Sequence, residues 1–106
     1  MKLLKRDMLA TIPALYSQEE VEISEKMVYV KFFLFNFTWY VTECEVQEND
    51  VLFFGYVKND AAPDCSEWGY FILSELENLL IRGVFKVERD LYFSPTKFAE
   101  IKNDWN

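Results

Sequence analysis

The stretch MVYVKFFLFNFTWYVTECEVQENDVLFFGYVK, residues 27–58, decides the fold. It is rich in aromatic and β-branched residues, which favour strands, and turn-forming residues divide it at Asn36 and at 47–50. Gly55, inside the last of the resulting segments, indicates a β-bulge or a close approach of another backbone. We therefore predict three strands, at 27–36, 37–46 and 51–58.

Outward from this stretch, the sequence predicts two more strands and three helices. The strands lie at 68–73 and 85–93, and the helices at 3–10, 74–81 and 95–105. The connections between the first four strands are too short for parallel crossovers, which need a dozen residues or more. The predicted class is α+β: an antiparallel meander sheet of about five strands, with short helices at the N-terminus, before the last strand and at the C-terminus. The chain is predicted to form a single domain, 1–106, and the neighbour of the fifth strand is left open.

Both faces of the predicted sheet carry apolar side chains. In the first strand, Val30 and Phe32 point one way while Tyr29 and Phe33 point the other. An antiparallel sheet with one solvated face should instead alternate between apolar and polar residues. Either the helices cover the second face, or part of it is exposed for binding.

The acidic residues are concentrated in the middle of the chain. Residues 40–78 contain nine acids and one base, Lys58, and the whole chain has a net charge of −7. This balance disfavours direct binding to nucleic-acid phosphates or to an anionic membrane. It favours a basic protein surface as the partner, although an acidic surface also serves solubility. No segment has the pattern of a signal peptide or a membrane helix, so we predict a cytoplasmic protein whose Cys44 and Cys65 are reduced.

The residue inventory argues against catalysis. The chain contains no histidine, two cysteines 21 residues apart and three isolated glycines. It therefore lacks the commonest general base, a zinc motif with four paired ligands and a phosphate-binding loop, and we predict no catalytic residue, metal or cofactor. Two carboxylate pairs with i, i+2 spacing, Glu43 with Glu45 and Glu88 with Asp90, leave an enzymatic alternative open. They would have to converge on a divalent metal or on a substrate.

Two groups of residues are candidates for contacting a partner. By period two, Trp39 shares a face of the second strand with Glu43 and Glu45, and an aromatic anchor beside carboxylates is typical of an interface hot spot. Core packing is the alternative for Trp39. The second group lies at the start of the fourth strand and in the loop before it: Asp60, Asp64, Glu67 and Trp68.

Arg89 is a candidate for a structural ion pair. It falls in register with Phe85, Val87 and Leu91, which we predict to point inward. A buried guanidinium needs a carboxylate partner, because an unpaired buried charge is very costly. We predict that Glu43 or Glu75 supplies it, with a functional anion site as the alternative.

Several motifs occur in an order typical of one family. They are IPALYSQEE (12–20), TWYVTE (38–43), FFGYV (53–57), WGYFILSELE (68–77) and VERDLYFSP (87–95). Over roughly residues 4–98 the chain resembles domain of unknown function 2958, a family of small proteins from bacterial mobile elements and phages. The resemblance implies an accessory role in anti-defence or conjugative transfer, and it brings no catalytic residues with it. The segment MVYVKFFLFNF and the loop 59–67 depart from the family's pattern.

From these features we predict a small non-enzymatic protein that presents an acidic, aromatic surface to a protein partner. A sharper hypothesis is an acidic inhibitor of a host defence protein that handles nucleic acid, of the anti-CRISPR or anti-restriction type. Carboxylates about 7 Å apart along a strand would stand in for phosphates, which requires one continuous acidic surface. The alternatives are a homodimeric structural subunit with an exposed aromatic sheet face and a carboxylate enzyme with a divalent metal.

Overall fold

A computed structural model describes residues 3–105. Within these residues the chain forms a five-stranded antiparallel sheet, two two-stranded sheets and three short helices, which confirms the predicted α+β class. The helices are α1 Arg6–Leu9, α2 Leu73–Asn78 and α3 Phe98–Asn103, and 3₁₀ turns lie at Ile23–Glu25 and Pro63–Cys65. The strands are β1 Met27–Val28, β2 Val30–Leu34, β3 Phe37–Val46, β4 Val51–Asn59, β5 Glu67–Ile72, β6 Leu80–Ile81, β7 Phe85–Lys86, β8 Glu88–Arg89 and β9 Thr96–Lys97.

The large sheet has the strand order β5–β4–β3–β2–β8, and each neighbouring pair is antiparallel. Strands β2 to β5 form the predicted meander. The strand whose neighbour the sequence left open is β8, which pairs with β2 and places Arg89 opposite Phe32. The sheet therefore has β5 at one edge and β8 at the other.

Two predicted strands are interrupted. The predicted strand 27–36 breaks at Tyr29, whose N–H donates to the carbonyl of Val41 (2.8 Å), and β1 leaves the large sheet to pair with β9. The predicted strand 85–93 breaks at Val87 into β7, which pairs with β6, and β8, which pairs with β2. Each of these segments therefore contributes to two different sheets. A continuous run of strand-forming residues in the sequence does not indicate where such a strand changes sheets.

The helices are shorter than predicted and begin differently. In α2 the hydroxyl and the N–H of Ser74 both donate to the carboxylate of Asp50, so an acid of the β3–β4 hairpin caps the helix and its own N-cap residue, Ile72, does not. The last helix, α3, begins at Phe98 and not at Pro95, because Thr96 and Lys97 pair with β1. In residues 3–105, no helix has the length and apolar character needed to span a bilayer.

The Asp50–Ser74 contact predicts a pH dependence. The Asp50 carboxylate accepts hydrogen bonds from the Ser74 hydroxyl and from the N–H groups of Val51 (2.8 Å) and Ser74 (3.0 Å), and these bonds lower the pKa of Asp50. A lowered folded-state pKa contributes stability that is present above the ordinary value of about 3.9 and is lost as the pH falls through the folded-state value. We therefore expect the urea midpoint of the wild type to fall more steeply below about pH 4 than that of Asp50→Asn. Glu48→Gln, in the same hairpin, is the control, and equal slopes for all three chains would contradict the assignment.

A β-bulge at Thr42 interrupts the pairing of β3 with β4. Val41 lies opposite Gly55 while Glu43 lies opposite Phe54, so Thr42 is an additional residue in β3 with no partner in the ladder. Next to the bulge, a Cβ atom on Gly55 would lie only 1.8 Å from the carbonyl oxygen of Tyr40. The predicted bulge or close backbone approach at Gly55 is therefore confirmed.

The bulge changes the face on which the second half of β3 lies. Directly opposed residues of an antiparallel pair share a face. Trp39 lies opposite Val57, whereas Glu43 lies opposite Phe54, and residues 54 and 57 of β4 point to opposite faces. The prediction that Trp39 shares a face with Glu43 and Glu45 is wrong, because one inserted residue reverses the alternation.

The large sheet is packed on both faces. Helices α1 and α2 cover the first face, which carries Trp39, with a buried core of Leu4, Leu9, Ile12, Val30, Phe32, Leu34, Trp39, Val41, Cys44, Val51, Phe53, Leu73, Leu76 and Val87. On the second face, α3 contributes Phe98 and Ile101 to a smaller core with Val28 and Tyr40. Helix α3 covers one part of the second face, and a pocket remains open on this face beside Glu43.

Candidate binding pocket and exposed apolar surface

Glu43 is a buried carboxylate that binds the main chain of the N-terminal segment. The residue is 4% exposed, and its Oε1 accepts a hydrogen bond from the N–H of Tyr16 (2.9 Å). Its Oε2 accepts a second hydrogen bond from the N–H of Gln18 (2.7 Å). Charge-assisted hydrogen bonds of this kind offset the cost of burying a carboxylate. They fix the segment around residue 17 to the second face of the sheet.

The side chain of Gln18 completes the same junction. Its Oε1 accepts a hydrogen bond from the N–H of Met27 (2.7 Å), and its Nε2 donates to the carbonyls of Met27 and Thr42 (3.0 Å each). Thr42 is the bulged residue, so Gln18 supplies a partner for a carbonyl at the point where the ladder is disrupted. Between these anchors, Tyr16 adopts a φ of 73°, which is unusual for a bulky residue and is maintained here by the bonds on either side.

A pocket of about 350 Å³ lies beside Glu43. Strands β4 and β5 supply one side of it, where the Phe54 ring lies 6.0 Å from the nearly parallel Trp68 ring and 5.1 Å from the edge-on Tyr70 ring. The N-terminal segment supplies the other side. The complete lining is Tyr16, Glu19, Ile23, Lys26, Glu43, Phe54, Trp68 and Tyr70.

Two carboxylates and one ammonium line this pocket. The carboxylates belong to Glu19 and Glu43, and the ammonium belongs to Lys26, whose Nζ donates to the carbonyl of Gln18. A hydrogen bond with Tyr16, desolvation and the negative charges of Glu43 and Glu19 raise the pKa of Tyr70. The phenol therefore stays neutral at physiological pH, and the pocket has one more negative than positive side chain.

A second candidate is an exposed apolar surface at the β8 edge of the sheet. Six residues form it: Phe33, Phe35, Val84, Phe85, Leu91 and Tyr92. Their exposure runs from 37% for Phe33 to 97% for Tyr92. Phe33 lines two adjoining hollows, one shared with Phe35, Val84 and Phe85 and the other shared with Leu91 and Tyr92. We call this set the apolar edge surface.

The comparisons with known proteins give one match. A family model described as a protein of unknown function (DUF2958) matches residues 3–101. The chain belongs to the DUF2958 family. The matched range includes every residue of the pocket and of the apolar edge surface. No curated protein and no solved structure matches the chain.

In this DUF2958 protein, the predicted contact residues Trp39 and Glu45 lie outside the pocket. Trp39 is buried in the core of the first face, where its ring stacks on Phe37 at 5.7 Å, so the core alternative applies to it. Glu45 is exposed and accepts a hydrogen bond from the side chain of Gln47 (3.2 Å). Of the predicted contact residues, Glu43 and Trp68 line the pocket together.

The acids of residues 40–78 form separate groups. Strand β4 separates the hairpin that carries Glu48 and Asp50 from the loop that carries Asp60 and Asp64. Its nine residues span about 30 Å. Glu67, the last acid of that loop region, lies opposite Val57 and so points to the first face, away from Trp68. The described acids therefore provide no single continuous surface.

Arg89 does not form the predicted ion pair. Within residues 3–105 it has no salt bridge to Glu43 or Glu75, and its Nε donates instead to the carbonyl of Leu3 (3.2 Å). Arg89 lies opposite Phe32 on the first face, whereas the bulge places Glu43 on the second. Glu43 cannot be the partner because the two side chains lie on opposite sides of the sheet, and in the described part of the chain no salt bridge joins Arg89 to Glu75 in α2.

The four carboxylates of the enzymatic alternative do not assemble. Among the residues that the structure describes, no group of three or more Asp, Glu or Cys side chains is placed to hold a metal ion. Asp90 instead forms an ion pair with Lys31 at 3.8 Å. Glu43 is engaged by main-chain amides.

Sequence reasoning missed Tyr16, Gln18, Phe54 and Tyr70. Phe54 and Tyr70 lie in predicted strands that carry apolar residues on both faces, so the alternation gave no reason to select them. The segment IPALYSQEE, which contains Tyr16 and Gln18, was identified only as a family motif, and nothing in its pattern indicated a contact with Glu43. The apolar edge surface was also missed, because Phe85 and Leu91 were predicted to point inward along one continuous strand and are in fact exposed.

Proposed function

We propose that the protein is a small non-enzymatic accessory protein of a bacterial mobile element or phage, and that it acts in the cytoplasm by binding a protein partner through the apolar edge surface. The carrying observation is the exposure of six adjoining large apolar side chains. Contiguous exposed apolar patches larger than a few hundred Å² are rare on monomeric proteins and often mark interaction sites. The mobile-element setting rests on the family resemblance alone.

The charged residues around the apolar edge surface indicate which charge the partner's surface should carry. Lys31, Arg82, Lys86 and Arg89 line its hollows or the adjoining one, against two acids, Glu88 and Asp90. This composition, aromatic with nearby arginine, is the one that interface cores favour, and its charge suits a neutral or acidic rim on the partner. A basic partner surface, which the net charge of −7 favours, is proposed only for the loop 60–67.

The inhibitor hypothesis loses its argument from phosphate mimicry, because β4 separates the two groups of acids. An anti-defence role is therefore an implication of the family resemblance and has no support from the arrangement of the carboxylates.

A homodimer through the same surface is the second candidate function. Its specific support is the position of the patch at the β8 edge of the sheet. The rings of Phe35 and Phe85, 4.9 Å apart, are both exposed to solvent there. A two-fold interface uses one patch twice, so a self-complementary apolar surface suits it.

The double substitution Leu91→Asp with Tyr92→Asp tests the proposal. These residues are 70% and 97% exposed, so their replacement should leave folding intact. Val46→Asp is the matched control, because Val46 is 64% exposed and lies at the other end of β3 from Phe35. We expect affinity capture from a host lysate to recover one protein with the wild type and the control, and about tenfold less of it with the double variant.

Sedimentation velocity at several concentrations separates the two candidates. A dimer that the double substitution dissociates and Val46→Asp does not would assign the surface to self-association. Equal recovery of the captured protein by all three chains, with no dimer in any of them, would contradict a role for the apolar edge surface.

A further inference from the structure

We propose that the pocket beside Glu43 binds an organic ammonium ion, with a quaternary or methylated amine as the preferred ligand. The pocket lies at the β5 side of the sheet, and the apolar edge surface lies at the β8 side. The proposal is therefore independent of the proposed function.

The aromatic lining supplies the first part of the case. Four of the eight lining residues are aromatic, namely Tyr16, Phe54, Trp68 and Tyr70. A cation within about 6 Å of an aromatic ring is attracted by the negative face of the ring, most strongly by tryptophan. The Trp68 and Tyr70 rings lie 6.0 Å and 5.1 Å from the Phe54 ring, and all three residues line the same pocket, so one ligand can contact several rings.

The charges supply the second part. Glu19 and Glu43 line the pocket against one ammonium, Lys26, which is engaged by the carbonyl of Gln18. Each oxygen of Glu43 accepts one main-chain hydrogen bond, so a carboxylate with about four acceptor positions retains some of them. Because the main chain already holds this carboxylate in place, a cation gains its attraction without the cost of ordering it.

The same lining argues for an alkylated ammonium over a primary one. A primary ammonium carries three N–H donors, and it loses hydrogen bonds to water unless the site offers acceptors for them. Here aromatic rings make up half of the lining, whereas the carboxylates belong to two residues only. A methylated ammonium has few or no donors to satisfy and retains its positive charge. The volume of about 350 Å³ suits a headgroup or a single side chain.

The test compares two isosteric probes, choline and 3,3-dimethylbutan-1-ol, which differ in charge. Titrated into the full-length protein and followed by the NMR signals of the Trp68 indole, choline should bind with a millimolar or lower Kd and the neutral alcohol at least about tenfold more weakly. Tyr70→Ala should weaken choline binding by about tenfold, because it removes one face of the cage at a half-exposed position. Tyr70→Phe retains the ring and should retain binding.

The matched control is Tyr92→Ala, which removes an exposed tyrosine outside the pocket and should leave choline binding unchanged. A peptide with trimethyl-lysine, compared with the unmodified peptide, identifies the source of the ligand. Tighter binding of the methylated peptide than of choline would indicate a protein side chain, and the reverse would indicate a small amine. Absence of binding by both cations, or equal binding of choline and the neutral alcohol, would overturn the proposal.

Discussion

Gly55→Ala is expected to destabilise the fold by at least about 3 kcal/mol, enough to leave little folded protein at ordinary temperatures. A Cβ at this position would lie 1.8 Å from the carbonyl oxygen of Tyr40 and 2.8 Å from its carbonyl carbon. Both atoms belong to the main chain of the central strand β3, so no side-chain rotation relieves the overlap. Urea denaturation followed by tryptophan fluorescence measures the change in unfolding free energy.

Gly69→Ala is the matched control. Gly69 lies directly opposite Gly55 in the β4–β5 pair, but a Cβ there would meet nothing within 4 Å. Its replacement should be neutral or stabilising by up to about 1 kcal/mol, because alanine loses less conformational freedom on folding. Similar losses at both glycines would show that the close approach at Tyr40 does not exist.

Glu43→Ala is expected to cost about 2–5 kcal/mol of unfolding free energy. The substitution leaves the N–H groups of Tyr16 and Gln18 without their acceptor, and each buried unsatisfied group costs about 1–3 kcal/mol. Glu43→Gln should cost roughly half as much, because the amide presents one acceptor oxygen where the carboxylate has two. Glu45→Ala, at the exposed acid two residues along the same face, should change stability by less than about 0.5 kcal/mol.

Amide hydrogen exchange gives a residue-specific measure of the same contact. In the wild type the N–H groups of Tyr16 and Gln18 should be protected, and in Glu43→Ala they should exchange rapidly while the N–H groups of β4 stay protected. Equal stability of the Glu43→Ala and Glu45→Ala chains, with protection retained at Tyr16, would show that the carboxylate does not hold the segment.

The sequence predicts the meander because its strand-forming runs are separated by connections too short for anything but antiparallel neighbours. It does not predict the face of Glu43, because the bulged residue, Thr42, is an ordinary strand former. Only Gly55, on the neighbouring strand, indicated an irregularity there. A period-two pattern continued through Thr42 assigns every later residue of β3 to the wrong side, including the acid that anchors residues 16–18.

The candidate site was predictable only in part. Trp68 and Glu43 were selected as an aromatic anchor and a carboxylate, and both line the pocket, although they were placed in different groups. The contacts from Tyr16 and Gln18 arise from long-range hydrogen bonds to Glu43 and Thr42, which no local pattern encodes. The apolar edge surface depends on the break at Val87, where two short pairings replace one long strand.

The two free thiols report on different events. Cys44 is buried, burial raises the pKa of its thiol, and its N–H donates to the carbonyl of Pro13 (2.9 Å). The thiolate is the nucleophile that attacks an alkylating reagent, so Cys44 is expected to react only when local opening of the first-face core exposes it, whereas the exposed Cys65 reacts in the native state. The alkylation rate of Cys44 therefore measures local opening of the first-face core around β3, and the rate at Cys65 is the internal reference for reagent access.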